Sequence, residues 1–94
     1  MFEWDPRKAQ ANADKHGVSF DDAVTVFLDT DALDGPDLQH SAKESRFRRL
    51  GRSAAGNVLM VVYTLRSTGH VEAIRLISAR HASRRERAAY SSKD

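Results

Sequence analysis

The sequence predicts an α+β domain with an N-terminal helix pair, an antiparallel β-meander of three to four strands, and a C-terminal helix. Three observations carry this expectation. Between Asp5 and Phe27, two segments begin with helix-capping residues and carry apolar side chains at helical spacing. Between Arg46 and Ile77, strand-like runs are separated by turns too short for anything but antiparallel neighbours. At Ser83 a Ser-x-x-Glu box opens a last helix. Helices, strands and helix in separate blocks make an α+β arrangement rather than an alternating α/β one.

The elements follow in order. Phe2 and Trp4 flank Glu3 as a short strand or packed arm. Asp5-Pro6 reads as an N-cap followed by proline at the first helical position, and the helix should stop at His16-Gly17, where glycine accepts the left-handed conformation. Ser19 restarts the chain, with Asp22 three residues on in place of the glutamate of a capping box. Phe20, Ala23, Val24 and Phe27 form the apolar stripe of this second helix. Gly35-Pro36 marks a turn, and Ala32-Leu33 fits a short edge strand. Arg46–Leu50 reads as a strand, as does Val58–Leu65, rich in β-branched and aromatic residues. Arg66-Ser67-Thr68-Gly69 is the next turn, Val71–Ile77 a further strand, and the last helix should reach about Tyr90.

With 94 residues, 1–94 is expected to be a single domain. The chain has no cysteine, which rules out a disulfide framework and a cysteine zinc site. Its start lacks the pattern of a signal peptide, and its longest apolar run, Val58–Tyr63, is far too short to cross a bilayer. A cytoplasmic protein with no membrane association is the expectation.

Charge is segregated along the chain. Residues 1–42 carry three Lys/Arg against nine Asp/Glu, a balance of −6, and residues 43–94 carry twelve against four, a balance of +8. The basic half suggests a polyanionic or acidic partner, unless the two halves neutralise each other within the fold. In the last strand, alternation sends Arg75 and Ile77 one way and Ile74, Leu76 and Ser78 the other. If Arg46, Arg48 and Arg75 share an open sheet face, they form a basic floor with Arg80 at the strand exit. Arg84, Arg87 and Tyr90 follow one another at three-residue spacing along one side of the final helix, where arginine forks suit phosphate and tyrosine suits base stacking. A merely solvated arginine face is the alternative, although Arg84 and Arg85 sit in the first helical turn, where cations are disfavoured.

His16, His40, His70 and His81 show no metal-ligand spacing, so no metal and no cofactor are expected. His16, at a helix end, suits a helix-dipole role. His40, Glu44 and Arg46 fall within seven residues entering a strand, and they supply proton carriers and a cation for acid–base chemistry on a phosphodiester.

Three stretches together resemble the BrnT family of bacterial toxins: FEWDPRKAQANADKHGVSFDDAVTVF, HSAKESRF and VVYTLRSTGHVEAIRLISARHASRRERAAY. Arg48-Arg49-Leu50-Gly51 departs from the family pattern, which is more apolar before the glycine. The resemblance implies a RelE-like fold and a metal-independent endoribonuclease of a type II toxin–antitoxin system. It implies His40, Glu44, Arg46 and Arg80 as catalytic candidates, with Lys15-His16 closing the first helix and Glu86, Arg87 and Tyr90 forming the family's ER…Y pattern. Lys15, Arg75, Arg84, Arg87 and Tyr90 are then the RNA-binding candidates. The partners it implies are RNA and a BrnA-like antitoxin with a ribbon-helix-helix DNA-binding part, in a heterotetramer that binds promoter DNA through the antitoxin. A non-catalytic module that binds nucleic acid or antitoxin as a corepressor needs the same arginines without the proton carriers.

Overall fold

Asp5 and Pro6 open the first helix, α1 (Pro6–His16), in a computed structural model that describes residues 1–40 and 44–92. The Asp5 carboxylate accepts from the Arg7 amide at 2.8 Å. Proline at the first position sacrifices no bond, because that amide would have no helical partner. Gly17 closes the helix in the left-handed region at φ 69°. Ser19 then starts α2 (Phe20–Val24), accepting from the Asp22 amide at 3.0 Å, and the chain tightens into a 3-10 turn over Thr25–Leu28. From this pair Phe20, Ala23 and Val26 meet Leu59, Val61, Leu76 and Ala79 in the main core, with Trp4 edge-on to Phe20. Burying Phe20 and Leu59 contributes about 1.5–3 kcal/mol each.

Five strands form one sheet: β1 (Phe2–Glu3), β2 (Leu33–Pro36), β3 (Phe47–Arg52), β4 (Val58–Thr68) and β5 (Val71–His81), in the spatial order β1-β5-β4-β3-β2. β2 to β5 are the antiparallel meander that short turns require, and β1 adds a parallel edge against Ile74 and Arg75. The last helix is α3 (Arg84–Ser91), opened by the full Ser83–Glu86 capping box. Three sequence expectations change. Gly35 and Pro36 are the end of the edge strand rather than a turn; the missing proline amide is tolerated there because an edge strand pairs on one side only. Arg66–Thr68 belong to β4, because the reversal is confined to Gly69 and His70, with Gly69 at φ 62°. β5 continues past Ile77 to His81.

That extension contains the feature that positions the site. Val62 pairs with Ser78 but Tyr63 pairs with Leu76, so Ile77 is one extra residue in β5, a β-bulge. Uninterrupted alternation would send Arg80 the same way as Ile74 and Leu76, toward the helices. The bulge inverts the phase. Ala79 joins Leu76 in the core, while Ser78 and Arg80 turn to the opposite side of the sheet.

The outer edge of β5 beyond Arg75 has no strand beside it, since β1 pairs only with Ile74 and Arg75. Asn12 of α1 takes that place. Its Oδ1 accepts from the Ala79 amide at 3.0 Å, and its Nδ2 donates to the Ala79 carbonyl at 2.8 Å and the Val18 carbonyl at 3.0 Å. The side chain is buried, so these backbone groups have no recourse to water. Asn12→Ala should therefore strand three backbone groups at roughly 1–3 kcal/mol each. We expect a net loss of about 3 kcal/mol in urea unfolding, and a loss below about 1 kcal/mol would show that these bonds do not hold the helix to the sheet.

Candidate active site

The sheet face away from α1 and α2 is only partly covered. α3 lies over one end, where Tyr90 packs with Leu50, Met60 and Ala82 in a second small cluster. Beside it is a hollow of about 400 Å³. Its floor is Met60 and Val62 of β4 with Ile77 and Ser78 of β5. Arg48 of β3 and the preceding Arg46 line one side, sent to the same face by strand alternation. Arg80 enters from β5 through the phase change at the bulge. His16, the last residue of α1, and Asp37 and Gln39, which follow β2, complete the lining.

Arg49 goes the other way, and its partners account for the basic run Arg48-Arg49. Its guanidinium donates to the Val26 and Asp29 carbonyls at 3.0 Å each, pairs with Asp34, and sits 5.2 Å from the centre of the Phe27 ring. It thus adds a second donor to two carbonyls that already accept from the Asp29 and Ala32 amides, and so ties β3 to the end of the 3-10 turn. Gly51 comes next because a Cβ there would lie 3.1 Å from Ala32 and 3.3 Å from Val26.

Arg80 is held in a two-pronged ion pair. Its Nη1 donates to Glu86 Oε1 at 2.7 Å and its Nη2 to Oε2 at 3.0 Å, while Nη1 also reaches the His81 carbonyl at 3.3 Å. Glu86 Oε1 simultaneously accepts from the Ser83 amide at 2.8 Å. One carboxylate therefore both caps α3 and clamps the arginine. The hydrogen bonds from Arg80 outweigh burial and bring Glu86 from its usual 4.5 down to about 2, and the same contact raises Arg80.

The sequence-derived candidates divide as follows. Arg46 and Arg80 share the hollow. Glu44 is exposed beside it, 3.6 Å from Arg46 Nε. The backbone of His40 ends a short 3-10 turn over Leu38–His40; its side chain, and residues 41–43 after it, lie outside the described residues. Arg75 shares the open face but is turned to the edge, where Glu3 accepts from it at 3.4 Å. Lys15, Arg84 and Arg87 are exposed outside the lining. Tyr90 requires a correction. Its ring is buried, so it does not offer a stacking surface, and its hydroxyl donates to Asp29 Oδ2 at 2.6 Å. That bond, then burial, raises its pKa. Helical spacing put Tyr90 on one side with Arg84 and Arg87, but its length lets it reach over the sheet end to the helix layer.

His16, Asp37 and Gln39 were not singled out for this site. No local motif marks them; they meet the arginines because α1 packs on β5 and because Asp37 continues the β2–β3 pairing, its amide donating to the Arg46 carbonyl at 2.8 Å. Among the described residues, no group of three or more His, Asp or Glu is arranged to hold a metal ion. No helix among them is long and apolar enough to cross a membrane.

Two stability measurements test these contacts. Tyr90→Phe should cost about 2 kcal/mol, the scale of a hydrogen bond to a charged acceptor, and an unchanged midpoint would refute a structural role for the hydroxyl. Because Glu86 is held near 2 instead of 4.5, its contribution to stability is complete above pH 4.5 and fades as the pH falls toward 2. The stability difference between the wild type and Glu86→Gln should shrink through that window; a difference independent of pH would contradict the ion pair.

Residues 4–86 match the family model described as the ribonuclease toxin BrnT of type II toxin–antitoxin systems. The fold is similar to the crystal structure of the Brucella abortus ribonuclease toxin BrnT, with a TM-score of 0.64 and 29% sequence identity over 89% of this chain and 99% of that one. No curated protein sequence matches. With nearly its whole length matched by the family model, the chain belongs to the BrnT family of type II toxin–antitoxin ribonuclease toxins.

Proposed function

We propose that the basic hollow is the active site of a metal-independent endoribonuclease that cleaves RNA through the substrate's own 2′-hydroxyl. The observation that carries this reading is the convergence of one imidazole and three guanidinium groups, His16 with Arg46, Arg48 and Arg80, over one hollow. A base removes the 2′-hydroxyl proton, the oxygen attacks the adjacent phosphorus in line, and an acid protonates the departing 5′-oxygen. The products end in a 2′,3′-cyclic phosphate and a 5′-hydroxyl. Imidazole suits such transfers near neutral pH, and His16 is the candidate within the lining. His40 and Glu44, on the segment entering β3, are the remaining candidates for the second proton carrier.

Arg46 and Arg80 are assigned to the negative charge that develops on the phosphate, where one well-placed donor is worth about 3–4 kcal/mol. Arg48 shares that side of the hollow. Lys15, Arg84 and Arg87, exposed outside its lining, are assigned to flanking phosphates, and Arg75 to them only after release from Glu3. The partner is a BrnA-like antitoxin with a ribbon-helix-helix part, in a heterotetramer that represses its own promoter in the cytoplasm. Its toxin-contacting segment is acidic, and the complex weakens as salt rises.

Purified protein incubated with RNA and EDTA should yield fragments with 2′,3′-cyclic phosphate ends, while DNA and 2′-O-methyl RNA stay intact. His16→Ala and Arg80→Ala should each lower the cleavage rate by roughly 10²-fold or more without unfolding the protein. Wild-type rates in both variants would remove the hollow from the reaction. Binding without fragments would favour the non-catalytic corepressor.

A further inference from the structure

We propose that Glu86 is a positioning residue: by occupying one fork of Arg80 it aims the other fork of the same guanidinium into the hollow, to receive a phosphate. The proposal rests on the reading of the hollow as the ribonuclease site, and it assigns to Glu86 a task beyond capping α3.

The stereochemistry of the guanidinium supports it. Arginine has five N–H bonds in one plane. Glu86 takes one from each of Nη1 and Nη2, which is the end-on fork, and the second Nη1 hydrogen points to the His81 carbonyl. The two that remain are Nε–H and the second hydrogen of Nη2. They lie parallel on the side edge, because Nη2 is on the same side of the group as Nε–H. That pair forms a second fork of the spacing that matches two phosphate oxygens. Among the described residues neither hydrogen has a partner.

The mount is stiff. Glu86 is the third residue of α3, its Oε1 is tied to the Ser83 amide, and it is more enclosed than the arginine, with side-chain exposures of 20% and 42% respectively. Without it, a half-exposed arginine on a flexible stem would have to be ordered by each substrate at the expense of binding or rate. With it, the guanidinium stays fully charged and already oriented. The ion pair does not have to break for phosphate to bind.

Glu86→Gln separates this role from the cap. The glutamine carbonyl still accepts from the Ser83 amide, but its amide nitrogen faces Nη2 with a donor, so the fork on Arg80 opens. We expect a folded variant whose kcat for RNA cleavage falls about 10–100-fold, the scale set by removing the support of a group that contacts the reacting centre. KM should change little, because Arg46 and Arg48 still hold the ground state. In the Arg80→Ala background the same substitution should have no further effect, whereas damage through the cap alone would add to it. A wild-type kcat or a faster one in Glu86→Gln, beside an inactive Arg80→Ala, overturns the positioning role and leaves the active-site reading standing. Full activity in Arg80→Ala overturns both. A readout independent of turnover is the ¹⁵N-resolved Nε–H signal of Arg80, which should move when a 2′-O-methyl RNA oligonucleotide is added to the wild type and should not move in Glu86→Gln. A wild-type signal that stays in place would equally refute the open fork.

Discussion

The two hydrogen bonds between the Asn12 side chain and the backbone of Ala79 are the constraint on which the rest of the molecule depends. β5 loses its neighbouring strand after Arg75 and gains an extra residue at Ile77, so its end could take either phase. A carboxamide offers an acceptor and two donors, which is what an unpaired strand edge plus one loop carbonyl requires. With Ala79 fixed against α1, the methyl group fills the core and the next side chain must project to the opposite face. Helix attachment, core closure and the direction of Arg80 are therefore one geometric decision.

The same economy governs the charges. Three of the nine acidic groups that bias the first half of the chain anchor groups of the second half. Asp29 accepts from the Tyr90 hydroxyl and the Arg52 amide, Asp34 from Arg49 and the Tyr63 hydroxyl, and Glu3 from Arg75. Burial, reinforced by Asp34, pushes Tyr63 up to about 12, which keeps it a donor. Arg49 is thereby tied into the fold, and Arg75 is held at the sheet edge. The arginines that line the hollow come from β3, from the residue just before it and from β5, whose faces there look away from the acidic helix layer, so a nearly neutral protein keeps a locally cationic recess.

Capping chemistry was the most readable part of the sequence. Asp5-Pro6, Gly17, Ser19 and the Ser83–Glu86 box each act through neighbours within four residues, and each bounds a helix where expected. The strands were recognisable by composition, but their ends were not, because Thr68 and His81 are strand residues only by virtue of the partner opposite. Of the residues that line the hollow, Arg46, Arg48 and Arg80 are legible as candidates in the sequence and His16 is not. Arg46 follows from alternation along its own strand. Arg80 falls at the strand exit in the sequence pattern, but the direction it takes depends on a bulge that no residue type announces. His16 belongs to the hollow through packing between α1 and β5, which local patterns do not encode. The burial of Tyr90 was hidden for the same reason: its anchor, Asp29, is 61 positions away.

The two ends of the sheet have a consequence for solubility. An open row of unpaired amides and carbonyls is a template for neighbouring copies, and a long ribbon such as β4–β5 offers such rows unless its borders are blunted. Here one border is a two-residue strand, and the other is a four-residue strand finishing in Gly35-Pro36, where the ring supplies no donor. Between β1 and the end of β5, Asn12 occupies the amide and carbonyl of Ala79. Along these two borders identical chains therefore find little on which to propagate an intermolecular ladder, while the ribbon beyond Tyr63 and before Ile74 has no third strand beside it. Short borders are useful for a small domain whose charges nearly cancel and offer weak mutual repulsion.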